Sequence, residues 1–271
     1  MFGAIIGDIV GSVYEWHNIK TKEFPLFLDD CFFTDDTVMT IASADAIMSG
    51  ATSEDFIDAY KKWGRLYPNA GYGSRFGGWL FSDDRAPYNS WGNGSAMRVS
   101  PCGWAYPMTQ SVHEGIDKVN KLAEISASVT HNHPEGIKGA KAVALSIYLL
   151  RSGRAYGIPG SNRERIKDYL DYDLSATLDK IRPGYQFNES CQDTVPQAII
   201  AFLESDSFED AIRNAISLGG DSDTLTAITG SLAEAAYGIP EWIKVKAWSY
   251  LDEPLKEVCR RWRGFVASQS K

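Results

Sequence analysis

Apolar residues recur at intervals of three and four along almost the whole chain, while alternating β-branched runs bounded by turns are nearly absent. That periodicity predicts an all-α protein. The N-terminal segment "GAIIGDIVGSVYE" and the run after Thr34 carry the helical spacing. So does "SEDFIDAYKKWGRL", residues 53 to 66, which starts on a serine with acidic residues in its first turn and stops before Pro68. Further helices are predicted at about 110 to 130, 134 to 151 with Pro134 in the first turn, 207 to 218, 222 to 237, and 252 to 266 with Pro254 near its start. Between residues 67 and 93 the composition shifts to Gly, Asn, Ser, Asp and aromatics, which predicts an ordered loop with short helical pieces; 155 to 162 is a second break. No repeat at solenoid periods is present.

Composition narrows the class. At 271 residues with 44% hydrophobic content the chain can bury a large core, and residues 1–271 are expected to form one domain. A formal charge of −8 argues against a nucleic-acid surface. The apolar N-terminus lacks a basic flank and carries Asp8 in mid-run, so neither a signal peptide nor a membrane span fits, and a cytoplasmic address is expected. Cys31, Cys102, Cys191 and Cys259 are widely spaced, which fits reduced, packed thiols better than a disulfide frame or a zinc site.

Five stretches carry candidate chemistry. In "FTDDTVMT", Thr34, Asp35, Asp36 and Thr37 stand at a predicted helix start, where one carboxylate or hydroxyl is explained by capping. Two adjacent aspartates between threonines exceed that need, and their oxygens could converge on a hard cation. Capping and cation binding both fit this stretch. The pattern returns in "GGDSDTLTAITG", where Gly219 and Gly220 end one helix and Asp221, Asp223 and Thr224 open the next. A nucleophilic-aspartate phosphatase would need a buried strand before these residues, and the preceding segment has the helical period. In the N-terminal segment Asp8 and Glu15 are seven residues apart, which on a continuous helix places them on nearly one face. In "YNSWGNGSAMRVSP", Gly92, Asn93, Gly94 and Ser95 lead into a helix and offer N–H groups suited to a phosphate, with Trp91 beside them able to stack on a base. An ordinary turn also fits this loop. His131 and His133 lie between a helix end and Pro134, where the helix dipole favours histidine without further function; His17 and His113 have no visible partners. An oxygen-rich donor set selects Mg²⁺, Mn²⁺ or Ca²⁺ over zinc.

Taken in order, "GAIIGDIVGSVYE", "FTDDTVMT", "GNGSAMRVSP", "SVTHNHPEGIKGA" and "GGDSDTLTAITGSLAEAAYG" resemble the motifs of the ADP-ribosylglycohydrolase family, from residue 3 to about 240. The resemblance implies a single compact orthogonal helical bundle with two divalent cations, Mg²⁺ or Mn²⁺, in a central cleft. It implies Thr34, Asp35, Asp36, Asp221, Asp223 and Thr224 as metal ligands, and Glu15, Asp35 and Asp36 as catalytic carboxylates. It also implies that Ser90, Trp91, Gly92, Asn93, Gly94, Ser95, Met97 and His131 bind the diphosphate and distal ribose, with Trp91 standing where the family has an aromatic residue. The implied substrate is an ADP-ribosylated protein or an ADP-ribose-linked small molecule, arginine N-glycosides being favoured by the compact length. A monomer is expected. A two-metal pyrophosphohydrolase and a non-catalytic ADP-ribose binder are the competing readings, and the 67 to 90 loop and the region near 155 to 162 are expected to set acceptor preference.

Overall fold

The computed structural model describes residues 1–107, 112–155 and 164–269, with 153–155 described by backbone alone. The helices in chain order are α1 (Phe2–Gly11), α2 (Asp35–Ser49), α3 (Ser53–Leu66), α4 (Ser74–Phe81), α5 (Gly94–Met97), α6 (Val112–Ser128) and α7 (Pro134–Ala155). They continue with α8 (Leu178–Ile181), α9 (Cys191–Leu203), α10 (Phe208–Ile216), α11 (Ser222–Tyr237), α12 (Glu241–Trp248) and α13 (Glu253–Gln269). Short 3₁₀ turns occupy Ser100–Trp104 and Glu164–Tyr169. Among the described residues there is no strand, only an isolated antiparallel bridge between Gly92 and Ser190. The protein is therefore all-α, as the periodicity predicts.

Local chemistry sets the helix starts. The Thr34 side chain accepts from the Asp36 N–H at 3.3 Å to open α2, and Thr52 and Asp55 cap one another in a reciprocal box ahead of α3. Ser190 and Ser207 do the same for α9 and α10. Gly219 and Gly220, at φ +68° and +76°, adopt the left-handed backbone that lets the chain leave α10 and enter α11 directly.

The centre of the molecule is α11, buried along almost its entire length and bordered by α1, α7, α9 and α10. The contact with α1 is unusually close. Gly3, Gly7 and Gly11 line one side of α1, and a Cβ on Gly7 would lie 2.1 Å from the Thr226 carbonyl oxygen. On Gly3 it would lie 2.2 Å from the Gly230 oxygen, and on Gly11 2.6 Å from the Asp223 Cα. The glycine face of α1 is thus the surface on which α11 rests, backbone to backbone. On the other side, α2 packs on α3, α13 and α1.

Several details differ from the sequence expectation. The N-terminal helix stops at Gly11, so Glu15 stands in the turn beyond it and does not share a helical face with Asp8. Helix α9 was not evident from the pattern because Pro196 interrupts it without ending it. The short helix α12 was also not evident. The break expected at 155 to 162 falls, apart from residue 155, outside the described residues. All four cysteines are free and buried, as expected.

Candidate active site

Two acidic helix starts far apart in sequence come together in the structure. Asp36 opens α2, Asp221 and Asp223 open α11, and Asp8 reaches them from the middle of α1. One carboxylate oxygen from each of Asp8, Asp36 and Asp223 lies within 4.8 Å of the others, and the same holds for Glu15, Asp221 and Asp223. Asp223 belongs to both sets. Asp8, which the sequence motifs did not assign as a ligand, is fully buried and receives the N–H groups of Thr34 and Thr37 on Oδ2 at 2.9 and 3.0 Å. Its Oδ1 accepts from the Thr34 hydroxyl at 2.7 Å. Asp8 therefore caps α2 from another helix while facing the acidic cluster, an across-chain role that local spacing does not display.

The other expected ligands divide. Thr34 combines its capping role with the bond to Asp8, and Thr224 donates to Asp36 Oδ2 at 3.1 Å. Asp36 Oδ1 is buried with no hydrogen-bond partner, and so is the Thr37 hydroxyl. Asp35 lines the cleft but belongs to neither close set of oxygens. Glu15 is half-buried, and its turn is fixed by Asn18, whose amide donates to the Glu15 carbonyl and exchanges two bonds with the Gly220 backbone at 2.9 and 2.7 Å.

No lysine or arginine pairs with any of these six carboxylates among the described residues. Burial, then repulsion from Asp223, pushes the Asp8 carboxyl up to about 7, although hydrogen bonds from Thr34 and Thr37 oppose the rise. Burial with Asp223 and Asp8 does the same to Glu15, also to about 7. Asp35, Asp36 and Asp221 are pushed well above the ordinary carboxylate range, burial first and Asp223 second. A cluster of acids without counter-cations, with an orphaned buried carboxylate oxygen at its centre, is the donor chemistry of hard divalent cations. These residues fit such ions.

A different chemistry lines the other end of the same cleft, whose volume is about 400 Å³. The glycine loop is pinned by Asn93 N–H to the Glu189 carbonyl at 2.7 Å and by Cys191 N–H to the Trp91 carbonyl at 3.0 Å. Gly92 N–H is used by the Ser90 hydroxyl, and the Ser95 hydroxyl donates to the Gly136 carbonyl at 2.7 Å. The run of free amides suggested by the sequence is thus partly consumed in holding the loop itself. Asn93 ties the two ends together by donating to Asp221 Oδ2 at 2.7 Å.

His131 is buried beside this loop: a Cβ on Gly94 would lie 3.2 Å from its Nε2, and one on Gly92 3.5 Å. Burial, reinforced by Arg98 and Arg75, holds the imidazole well below its ordinary pKa. Met97 is buried and lines the cleft, while Trp91 is half exposed and meets His133 edge-on at 5.7 Å. Arg75 and Arg98 also line this end and were missed from sequence, since Arg75 falls in the irregular stretch and Arg98 follows an apolar residue in a short helix. At the mouth, Trp16 and Phe187 stack at 5.3 Å and 20°, with Trp16 73% exposed.

This cleft has recognisable relatives. The mouse protein named ADP-ribosylhydrolase ARH3 is 26% identical over 88% of this chain and 83% of its own. The ADP-ribosylarginine hydrolase Tri1 of Pseudomonas putida is 27% identical over 92% of this chain and 73% of its own. The ADP-ribosyl-dinitrogen reductase glycohydrolase of Rhodospirillum rubrum is 25% identical over 88% and 84%. A solved structure described as an ADP-ribosylglycohydrolase-related protein complex shares the fold with a TM-score of 0.69, at 24% identity, over 100% of this chain and 96% of that one. The sequence profile of ADP-ribosylglycohydrolase matches residues 1–266, so the chain belongs to the ADP-ribosylglycohydrolase family and is an enzyme of that family.

Proposed function

We propose that the enzyme cleaves the bond between C1 of the distal ribose of ADP-ribose and its acceptor, with an arginine N-glycoside as the preferred linkage. The observation that carries this reading is the polarity of a single cleft. Its floor gathers Asp8, Glu15, Asp36, Asp221 and Asp223, and its far end presents Arg75, Arg98, His131 and the glycine loop. A substrate with sugar hydroxyls at one end of a diphosphate matches both ends at once.

Two divalent cations, Mg²⁺ or Mn²⁺, would be held by Asp8, Asp36 and Asp223 and by Glu15, Asp221 and Asp223, with Thr34, Asp35 and Thr224 around them. When bound they would supply fixed positive charge for ribose hydroxyls and a water. Glu15, at the cleft mouth, is placed to take and return the proton of hydrolysis, and Asp35 and Asp36 add negative charge beside an oxocarbenium-like sugar. Ser90, Gly92, Asn93, Gly94, Ser95, Met97 and His131 would hold the diphosphate and ribose, with Trp91 beside the base. Glu189 and the open face of Trp16 at the mouth suit a planar cation, which supports arginine over serine as acceptor.

The test is a panel of arginine-, serine- and small-molecule-linked ADP-ribose, each assayed with Mg²⁺, with Mn²⁺ and with EDTA. Free ADP-ribose should appear fastest from the arginine adduct and only with metal. AMP as the first product would replace this reading with pyrophosphate cleavage, and undiminished turnover in EDTA would remove the cations from it.

A further inference from the structure

His131 rests on an arrangement that the substrate reading leaves unexplained. Its Nδ1 lies 2.8 Å from the Thr130 hydroxyl oxygen, and that same oxygen receives an N–H of Arg98 at 2.7 Å. Thr130 is fully buried, Arg98 is 1% exposed, and His131 is 4% exposed. The Arg98 guanidinium lies 4.1 Å over the Tyr60 ring and 5.3 Å from that of Phe76, and its second contact is the Ser126 carbonyl at 3.4 Å. No carboxylate pairs with it among the described residues.

The proton count at the threonine oxygen decides the state of the histidine. A guanidinium can only donate, so the Arg98 bond takes one lone pair of the Thr130 oxygen. The hydroxyl has one proton of its own, and His131 Nδ1 is the acceptor within reach. Were Nδ1 protonated instead, the oxygen would accept twice and its proton would be buried without an acceptor, which native interiors avoid. We infer that Thr130, oriented by Arg98, is a positioning residue that holds His131 as a neutral imidazole with its proton on Nε2, the nitrogen beside Gly92 and Gly94. His131 therefore presents one fixed N–H donor to the anion end of the cleft and no acceptor. That the donor is used on ADP-ribose oxygens rests on the proposed function; the tautomer itself does not.

The experiment compares wild type, Thr130→Ala and Thr130→Ser, with folding checked by circular dichroism. Side-chain ¹⁵N spectra of His131 should show a protonated Nε2, and an unprotonated Nδ1 displaced by accepting a hydrogen bond. The Nδ1 resonance should shift in Thr130→Ala and return in Thr130→Ser. Calorimetry should show ADP-ribose affinity falling roughly fivefold in Thr130→Ala and recovering in Thr130→Ser, the size of one neutral hydrogen bond. A protonated Nδ1 in the wild type, or an Nδ1 resonance unmoved by Thr130→Ala, overturns the relay. An unchanged affinity in Thr130→Ala overturns its positioning role. A wild type with the Nε2–H tautomer that binds no ADP-ribose overturns the substrate reading and leaves the relay standing.

Discussion

Asp223 contributes to both close sets of carboxylate oxygens, whereas Asp36 contributes to one. If these sets hold two ions, the variants should differ in kind. Asp223→Ala should lose both equivalents of Mn²⁺ in calorimetry and all measurable turnover, and Asp36→Ala should lose one equivalent together with turnover. Equal losses of affinity without a change in stoichiometry would argue that a single ion is bound. At this scale the sequence showed what local chemistry can show. Thr34, Asp36, Asp221 and Asp223 were legible because a helix start with more oxygens than capping needs stands out from its neighbours. Asp8 was legible only as an oddity in an apolar run, since its partners are Thr34 and Thr37 on another helix. Arg98 and Thr130 were silent, because each is unremarkable until the fold places them 2.7 Å apart.

Among the elements, the crossing of α1 and α11 is the most demanding contact. Gly7→Ala would place a methyl group 2.1 Å from a backbone oxygen, so one helix must move. The expected loss of stability is about 1–3 kcal/mol by urea titration, with a larger proportional loss of activity because Asp8 and Asp223 separate with their helices. A second element contact has a pH signature. Asp45 on α2 receives Lys62 Nζ at 2.8 Å, Trp63 Nε1 at 2.9 Å and Arg261 of α13 at 3.3 Å. Burial pushes its carboxyl up, but the hydrogen bonds from Lys62 and Trp63 outweigh it and hold the group below its ordinary value. A lowered folded-state pKa gives stability that is present above the unfolded value near 3.8 and lost as pH falls through the folded one. Asp45→Asn should therefore melt below wild type at pH 7, and the gap should close on acidification below pH 3.8. Helix existence was mostly legible from apolar spacing. The end of α1 at Gly11 and the survival of α9 past Pro196 were not, because tertiary contacts decide both.

For the whole molecule, six acidic groups share a cleft with no cationic partner among the described residues, so metal should matter to folding as well as to chemistry. Removing it with EDTA should lower the melting temperature, and excess Mg²⁺ or Mn²⁺ should restore it. At a hundredfold excess over the dissociation constant the gain is about 2.7 kcal/mol for one site. A melting point indifferent to both treatments would count against any cation in the cleft. No described helix is long and apolar enough to cross a membrane. The seam between α1 and α11 has one more implication. Since neither water nor side chain fits where the three glycines meet the partner backbone, this seam cannot breathe locally. Amide hydrogens along α1 should exchange with deuterium only when the entire chain opens, making the floor of the cleft among the last parts of the molecule to yield.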